Sequence, residues 1–296
     1  GIRDISVTGV QTCALPISSQ LRFAVTPDPG VLEVNLPPTA RGRDHVALLE
    51  TVFDAALACG LQSEKYQLDG RLAGSGGGHH ITLGGPTPLA SPFLLRPDML
   101  ASLITFAQHH PSLSYLFTGL FVGPTSQAPR VDEARHDSLY ELELALDRAF
   151  ANRSTPAWLV DGLFRHLLCD VAGSTHRAEL SIDKLYDPQT PYGRQGLVEM
   201  RAFEMPPHPR MAAAQVLLAR SLVAAFAGAP YRGPLVRWGQ GLHDRFLLPW
   251  FLDRDLDDVL GFLAGRGLGL PAEAYRPFTE LRCPLVGERK IGRAHV

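Results

Sequence analysis

Hydrophobic and polar positions change period several times along the chain, and each change marks an element. LRFAV (21–25) and GVLEVNL (30–36) are short apolar segments separated by TPDPG, which predicts two strands across a tight turn. The period then becomes helical. Leu48, Leu49, Val52, Phe53, Ala56 and Leu57 repeat behind Asp44, an N-cap candidate, and Gly60 ends the run. HITLG (80–84) predicts a strand, Asp98 is placed to cap a helix through about Gln108, and GPTSQAPR (123–130) has the composition of a loop. SLYELELAL (138–146) carries two patterns. Leu142, Leu144 and Leu146 alternate as in a strand, while Leu139, Leu142 and Leu146 also suit a helix; the alternation tips the expectation towards a strand.

Pro156 opens a helix to about Leu168 as a first-turn proline. RAELSID (177–183) and LVEMRAF (197–203) predict a hairpin joined by DPQTPYGRQG, and an apolar helix runs from about Pro209 to Phe226. Strands and helices alternate irregularly, without the units of a doubly wound sheet. The expected class is therefore α+β, an antiparallel sheet packed with helices. The region 228–290, richer in Gly, Pro and Arg, is expected to wrap the main body without forming a separate domain.

Composition narrows the function classes. The chain has 296 residues, 45% of them hydrophobic, enough for a sizeable core. Its 28 basic and 30 acidic residues are mixed along the chain and leave a net charge of -2, so there is no electrostatic footprint for nucleic acid or an anionic membrane. FLLPWFL (246–252), a purely apolar run, falls far short of the roughly 20 residues that span a bilayer, and the expectation is a soluble protein. Cys13, Cys59, Cys169 and Cys283 show neither CxxC nor metal spacing, which argues against a disulfide framework or zinc site and fits the cytoplasm. VTGVQTCALPIS (7–18) and IGRAHV (291–296) look like translated sequencing adapter. Residues 1–18 and 291–296 are thus expected to be adapter-like, non-native segments flanking a domain over 19–290.

The candidate chemistry sits on the strands. Alternation places Glu33 and Asn35 on one face of GVLEVNL, either a solvent-facing edge or oxygen ligands for Mg²⁺ or Mn²⁺. Glu199 and Arg201 share a face of LVEMRAFEMPPH, with Glu204 at the strand end. They are either a surface ion pair or a metal ligand beside a phosphate-binding guanidinium. Arg177 and Glu179 repeat the pattern on the neighbouring strand, so a wet face of three carboxylates and two arginines is expected. Residues 74–80, GSGGGHH, form either a flexible insert or a backbone cradle. Gly74, Ser75, Gly76, Gly77 and Gly78 could aim N–H groups at a nucleotide phosphate, followed by a metal-binding histidine. GSGGG fits neither the dinucleotide fingerprint nor the Walker pattern.

GVLEVNLPP, a helix, GSGGGHHITLGG, THRAELSID and LVEMRAFEMPPHPRM, in that order, resemble the amidoligase family, domain of unknown function 2126, within the glutamine synthetase-like carboxylate–amine ligases. HPSLSYLF, FVGPTSQAPRVDEAR, AELSIDKLYD and LHDRF extend the similarity over nearly all of residues 21–288. The resemblance implies a curved antiparallel sheet packed with helices, incomplete at its N-terminal side, with 19–290 as a partial catalytic domain. It implies ATP with Mg²⁺ or Mn²⁺, and Glu33, His80 and Glu199 as metal ligands, with His79 the alternative to His80. It places Arg177 near the phosphates and Arg201 on the reacting substrate. The implied partners are a carboxylate and an amine, a peptide or protein among them, and an upstream transglutaminase-like domain. One departure stands out: the earlier strand that supplies further metal-binding glutamates in that superfamily is not visible, and Val25 stands eight before Glu33. The chain is therefore expected to be a fragment of a larger ligase and inactive by itself. A phosphotransferase on the same scaffold and a non-catalytic partner-binding module are the alternatives. A hydrolase is disfavoured by the lack of GxSxG.

Overall fold

The computed structural model describes residues 6–8, 23–28, 31–64, 66, 68–70, 78–119, 122–135, 138–152, 155–187, 189 and 193–288. Three strands come first: β1 (Ser6–Thr8), β2 (Ala24–Asp28) and β3 (Val31–Asn35), in the order β1-β3-β2. β2 and β3 form the expected antiparallel pair, with Thr26 opposite Glu33, and β2 runs on into the segment predicted as turn. β1 lies parallel to β3, with Thr8 also opposite Glu33, so this sheet is not purely antiparallel as expected. Residues 1–5, 9–22 and 289–296, which hold most of the adapter-like segments, lie outside the described residues.

α1 (Gly42–Ala58) follows, capped at Arg41 with Asp44 in the first turn. An acidic residue there suits the helix dipole without being the cap. Leu49 of α1, Leu36 and two residues beyond the second sheet, Met205 and Ala212, form a small core that Val34, Val52 and Phe53 flank. Val34 thus faces helices, and by alternation Glu33 and Asn35 face the other way.

The second sheet contains β4 (Ile81–Leu83), β5 (Leu180–Ser181) and β6 (Val198–Met200), in the order β4-β6-β5, with both pairings antiparallel. Ile81, Leu180, Val198 and Met200 are buried in the main core. Between β4 and β5 come α2 (Pro92–Leu95), α3 (Pro97–His109), α4 (Ser112–Tyr115), α5 (Val131–Ala134), α6 (Tyr140–Ala151) and α7 (Ala157–Phe164). After β6 come α8 (Pro209–Gly228), α9 (Gly241–Phe246), α10 (Pro249–Ala264) and α11 (Arg276–Arg282). The result is an α+β fold.

α3 is buried from Pro97 to Gln108, and its polar residues are paired: Ser102 Oγ donates to Asp98 O at 2.5 Å, and the Gln108 amide pairs across the fold with both backbone groups of Val236 at 2.7 and 3.0 Å. α8 is long and apolar enough to cross a membrane by length and composition, yet half of that stretch is buried inside the protein. The region 228–290 does more than wrap. Leu242, Phe246, Leu252, Val259, Leu263, Tyr275 and Phe278 enter the main core.

SLYELELAL is helical, contrary to the strand expectation. Leu142, Ala145, Leu146 and Ala149 are buried at helical spacing, while Leu144 is 52% exposed, so the apparent alternation was one surface leucine. Glu141 and Glu143 in the first turn favour the helix electrostatically.

Candidate functional site

The register of the second sheet decides which polar side chains meet. Thr82 and Ser181 stand opposite Glu199. One step along, the Arg201 N–H donates to Glu179 O at 2.8 Å, extending the ladder. His80, Thr82, Glu179, Ser181, Glu199 and Arg201 therefore share one face, while Ile81, Leu180, Val198 and Met200 point into the core.

That face is not wet, contrary to expectation: Glu199, Arg201 and Glu179 are 2, 4 and 6% exposed. The cover is non-local. The Glu179 N–H donates to Pro129 O at 3.0 Å, and Arg130 approaches Glu179 at 3.6 Å, so the end of the polar 123–130 loop docks on this edge.

Glu199 is the centre of one cluster. Arg201 NH1 donates to its Oε1 at 2.6 Å, and Lys184 Nζ donates to its Oε2 at 2.7 Å. His80 Nδ1 lies 3.3 Å from Oε1. Burial works against the Glu199 charge, but Lys184 and Arg201 outweigh it and hold the carboxyl below its usual range. His80 is pushed down to about 3, chiefly by burial and then by Arg201, so its ring is neutral near pH 7. A neutral imidazole facing a carboxylate presents Nδ1–H to it, which leaves a lone pair on Nε2. That Nε2 is buried without a partner, as is Nε of Arg201.

The last glycine of the glycine-rich stretch closes this arrangement. A Cβ at Gly78 would lie 2.1 Å from His80 Nε2, so the backbone passes where no side chain fits. Gly74, Ser75, Gly76 and Gly77 lie outside the described residues. His79 turns the opposite way: its Nδ1 is 2.5 Å from Gln215 Oε1, its Nε2 has no partner, and burial lowers its pKa to about 4.

The other expected site residues are not bonded to this cluster. Glu33 belongs to the first sheet, and no hydrogen bond or ion pair joins it to His80 or Glu199 among the described residues. Arg177 donates to Thr125 O and Ser126 O at 2.7 and 2.8 Å and lies 3.8 Å from Asp170. It pins the 123–130 loop. Among the described residues no three His, Cys, Asp or Glu side chains are grouped to hold a metal. His80 Nε2 suits a metal, since ligating histidines commonly give their other N–H to a carboxylate. Glu199 as it stands does not: side-chain cations occupy both of its oxygens, and it anchors Lys184, Arg201 and His80.

A second buried network escaped sequence reasoning, although its residues lie in the stretches that carry the family resemblance. Arg130, 0% exposed, bonds both oxygens of Asp132 through Nε and NH2 at 3.0 Å, and also Ala107 O, Ser114 Oγ and Gln108 O. Glu133 accepts from the Tyr115 hydroxyl and from the Arg130 N–H, and His243 Nε2 lies 3.0 Å from it. Burial pushes Glu179 up to about 7 against the pull of Arg130. Lys184 was also missed. It follows β5 outside any strand, so no parity rule reaches it.

The protein family described as "Putative amidoligase enzyme (DUF2126)" matches residues 10–296, and the chain belongs to that family. The family's name points to a ligase-type enzyme. No curated protein and no solved structure matches the chain.

Proposed function

We propose that this protein joins a carboxylate to an amine with ATP as the phosphoryl donor. The carboxylate oxygen takes the γ-phosphoryl group and ADP leaves. The amine nitrogen then attacks the acyl carbon, the bond from that carbon to the phosphate oxygen breaks, phosphate departs with the electron pair, and the nitrogen loses a proton.

The observation that carries the reading, beyond the family, is the pair of cations on buried Glu199, half-buried Lys184 at 2.7 Å and buried Arg201 at 2.6 Å. Preorganised positive charge is what phosphoryl transfer requires, and such stabilisation is commonly the largest contribution to its rate. Glu199 holds both cations in place, and the lack of a side chain at Gly78 leaves room for the His80 ring beside them. Mg²⁺ or Mn²⁺ would arrive with ATP and neutralise its phosphates. His80 Nε2 is the donor best placed for it, with Glu33 the further candidate that the resemblance names; Glu199, which the resemblance also names, is taken up by Lys184 and Arg201. The same proposal includes a peptide or protein as one substrate, an upstream transglutaminase-like domain as a partner, and a cytoplasmic location.

The test is product analysis with ATP, Mg²⁺ and mixed carboxylates and amines. ADP release that requires both substrates, with an amide detected by mass, supports the proposal. A phosphorylated acceptor without amide would replace it with phosphotransfer.

A further inference from the structure

Gln215 of α8, 1% exposed, reaches the residues that open β4. Its Nε2 donates to Glu204 O at 3.2 Å, and its Oε1 lies 2.5 Å from His79 Nδ1. A backbone carbonyl only accepts, so the bond to Glu204 O fixes which way the amide is turned. Its oxygen then faces His79, and Nδ1 of that ring must carry the proton. This is the less common tautomer of a free imidazole, and it leaves a lone pair on a buried Nε2 that has no partner.

The next residue repeats the arrangement on the opposite face. Glu199, held ionised by Lys184 and Arg201, only accepts, so His80 Nδ1, 3.3 Å from its Oε1, carries the proton there too. Two adjacent imidazoles are thus held in one tautomer by acceptors on opposite sides of the chain. Because side chains alternate along this segment, the backbone cannot turn one ring without moving the other. That backbone is tied down as well: the His79 N–H donates to Phe203 O at 2.8 Å, and Gly78 bridges to Glu204, the residue whose carbonyl Gln215 holds. An amide suits this place, since it gives one acceptor to the ring and one donor to the carbonyl. A carboxylate would lack the donor and would draw a second proton onto His79, beside His80.

We infer that Gln215 is a positioning residue for the Glu199 cluster: it locks the His79 ring and, through the shared backbone, aims His80 at Glu199 so that the His80 Nε2 lone pair is presented to an incoming group. That the cluster then serves amide formation rests on the ligase reading; the tautomers and the ring orientation do not. Partners that hold the far side of a ligating histidine commonly matter nearly as much as the histidine itself.

The experiment is long-range proton–nitrogen NMR of the whole protein near pH 7, without nucleotide and with nitrogen-15 in the histidine rings; His79→Asn and His80→Asn assign the signals. In the wild type both rings should show the Nδ1–H pattern. Gln215→Met keeps the volume and loses both bonds, so His79 should move to the Nε2–H pattern and the His80 signals should shift or broaden. With ATP, Mg²⁺ and mixed carboxylates and amines, kcat for ADP release should fall about 10- to 100-fold in that variant while the KM for ATP is unchanged. If Gln215→Met fails to fold, Gln215→Glu, which keeps the acceptor, should show His79 protonated on both nitrogens. A neutral His79 in Gln215→Glu, an Nε2–H His79 in the wild type, or wild-type His80 signals in Gln215→Met overturns the inference. Unchanged kcat in Gln215→Met, in a protein that does form amides, overturns it too while leaving the ligase reading intact. Shifted His80 signals in a protein that forms no amide would do the reverse.

Discussion

Around Arg130 a buried cation is enclosed by acceptors; around Glu199 a buried carboxylate is enclosed by cations. In the first cluster all three guanidinium nitrogens of Arg130 have partners, and Glu133 accepts from three directions. In the second, His80 Nε2 and Arg201 Nε are buried and unpartnered. Each such atom costs about 1–3 kcal/mol, and in a native protein it points to strain, chemistry or an unseen ligand. The Arg130 cluster is therefore framework, joining α3, α5 and α9, and the Glu199 cluster is prepared for something to arrive.

Substitution can break that contrast. Arg130→Met should have the largest effect on stability, about 3–5 kcal/mol by urea unfolding, because Asp132 and Glu179 lose a buried counter-charge. A loss under about 1 kcal/mol would remove the framework role. Acid comes next. His45 and His79 are lowered to about 4 and His80 to about 3, all mainly by burial, so the unfolded chain binds their protons more tightly than the folded one. Their stabilisation is full above about pH 6.5 and is lost as pH falls towards 4, at about 1.4 kcal/mol per unit for each. Glu179, pushed up to about 7, has the opposite sign and offsets one of them. Urea midpoints should therefore fall between pH 6.5 and 5, and a flat profile would contradict the burial of these rings.

Gly78→Ala is expected to cost about 1–3 kcal/mol, since His80 must leave its pocket to admit a methyl group. The smallest effect on stability, under about 1 kcal/mol, is expected for Lys184→Met, whose side chain is 16% exposed. Its turnover should nevertheless fall on the order of 10²-fold. Lys184→Met that matches wild type in turnover would sever the cluster from the chemistry.

Much of the fold could be read from the sequence: α1 and α8 turn apolar residues at helical spacing inward, while α3 and β6, buried all round, and β2, exposed at 24–27, were marked by their apolar runs and flanking turn residues. α6 misled because a surface leucine, Leu144, completed an alternation that packing does not use. The polar face of the second sheet was legible in parity, which groups Glu199 with Arg201, but not in exposure. Whether a polar face is wet depends on what packs against it, and at Glu179 that includes Pro129 and Arg130, about fifty residues away in sequence. Arg130, Glu133 and His243 were hidden for the same reason: Arg130 and Glu133 sit together at the start of α5, but their partners come from α3, α4 and α9, and no spacing rule connects those segments. Glu33 shows the converse. Its parity was clear, yet a strand pattern cannot tell which sheet the strand joins.

The most direct test of the Glu199 cluster as a phosphoryl-transfer site follows the oxygen. A carboxylate substrate carrying oxygen-18 in both positions is supplied with ATP, Mg²⁺ and an amine, and the released phosphate is weighed by mass spectrometry, with wild type beside Lys184→Met and Arg201→Met. One labelled oxygen in phosphate for each amide formed, reduced in parallel with turnover in both variants, is the predicted result. Unlabelled phosphate, or labelled phosphate released at wild-type rate by both variants, would contradict it.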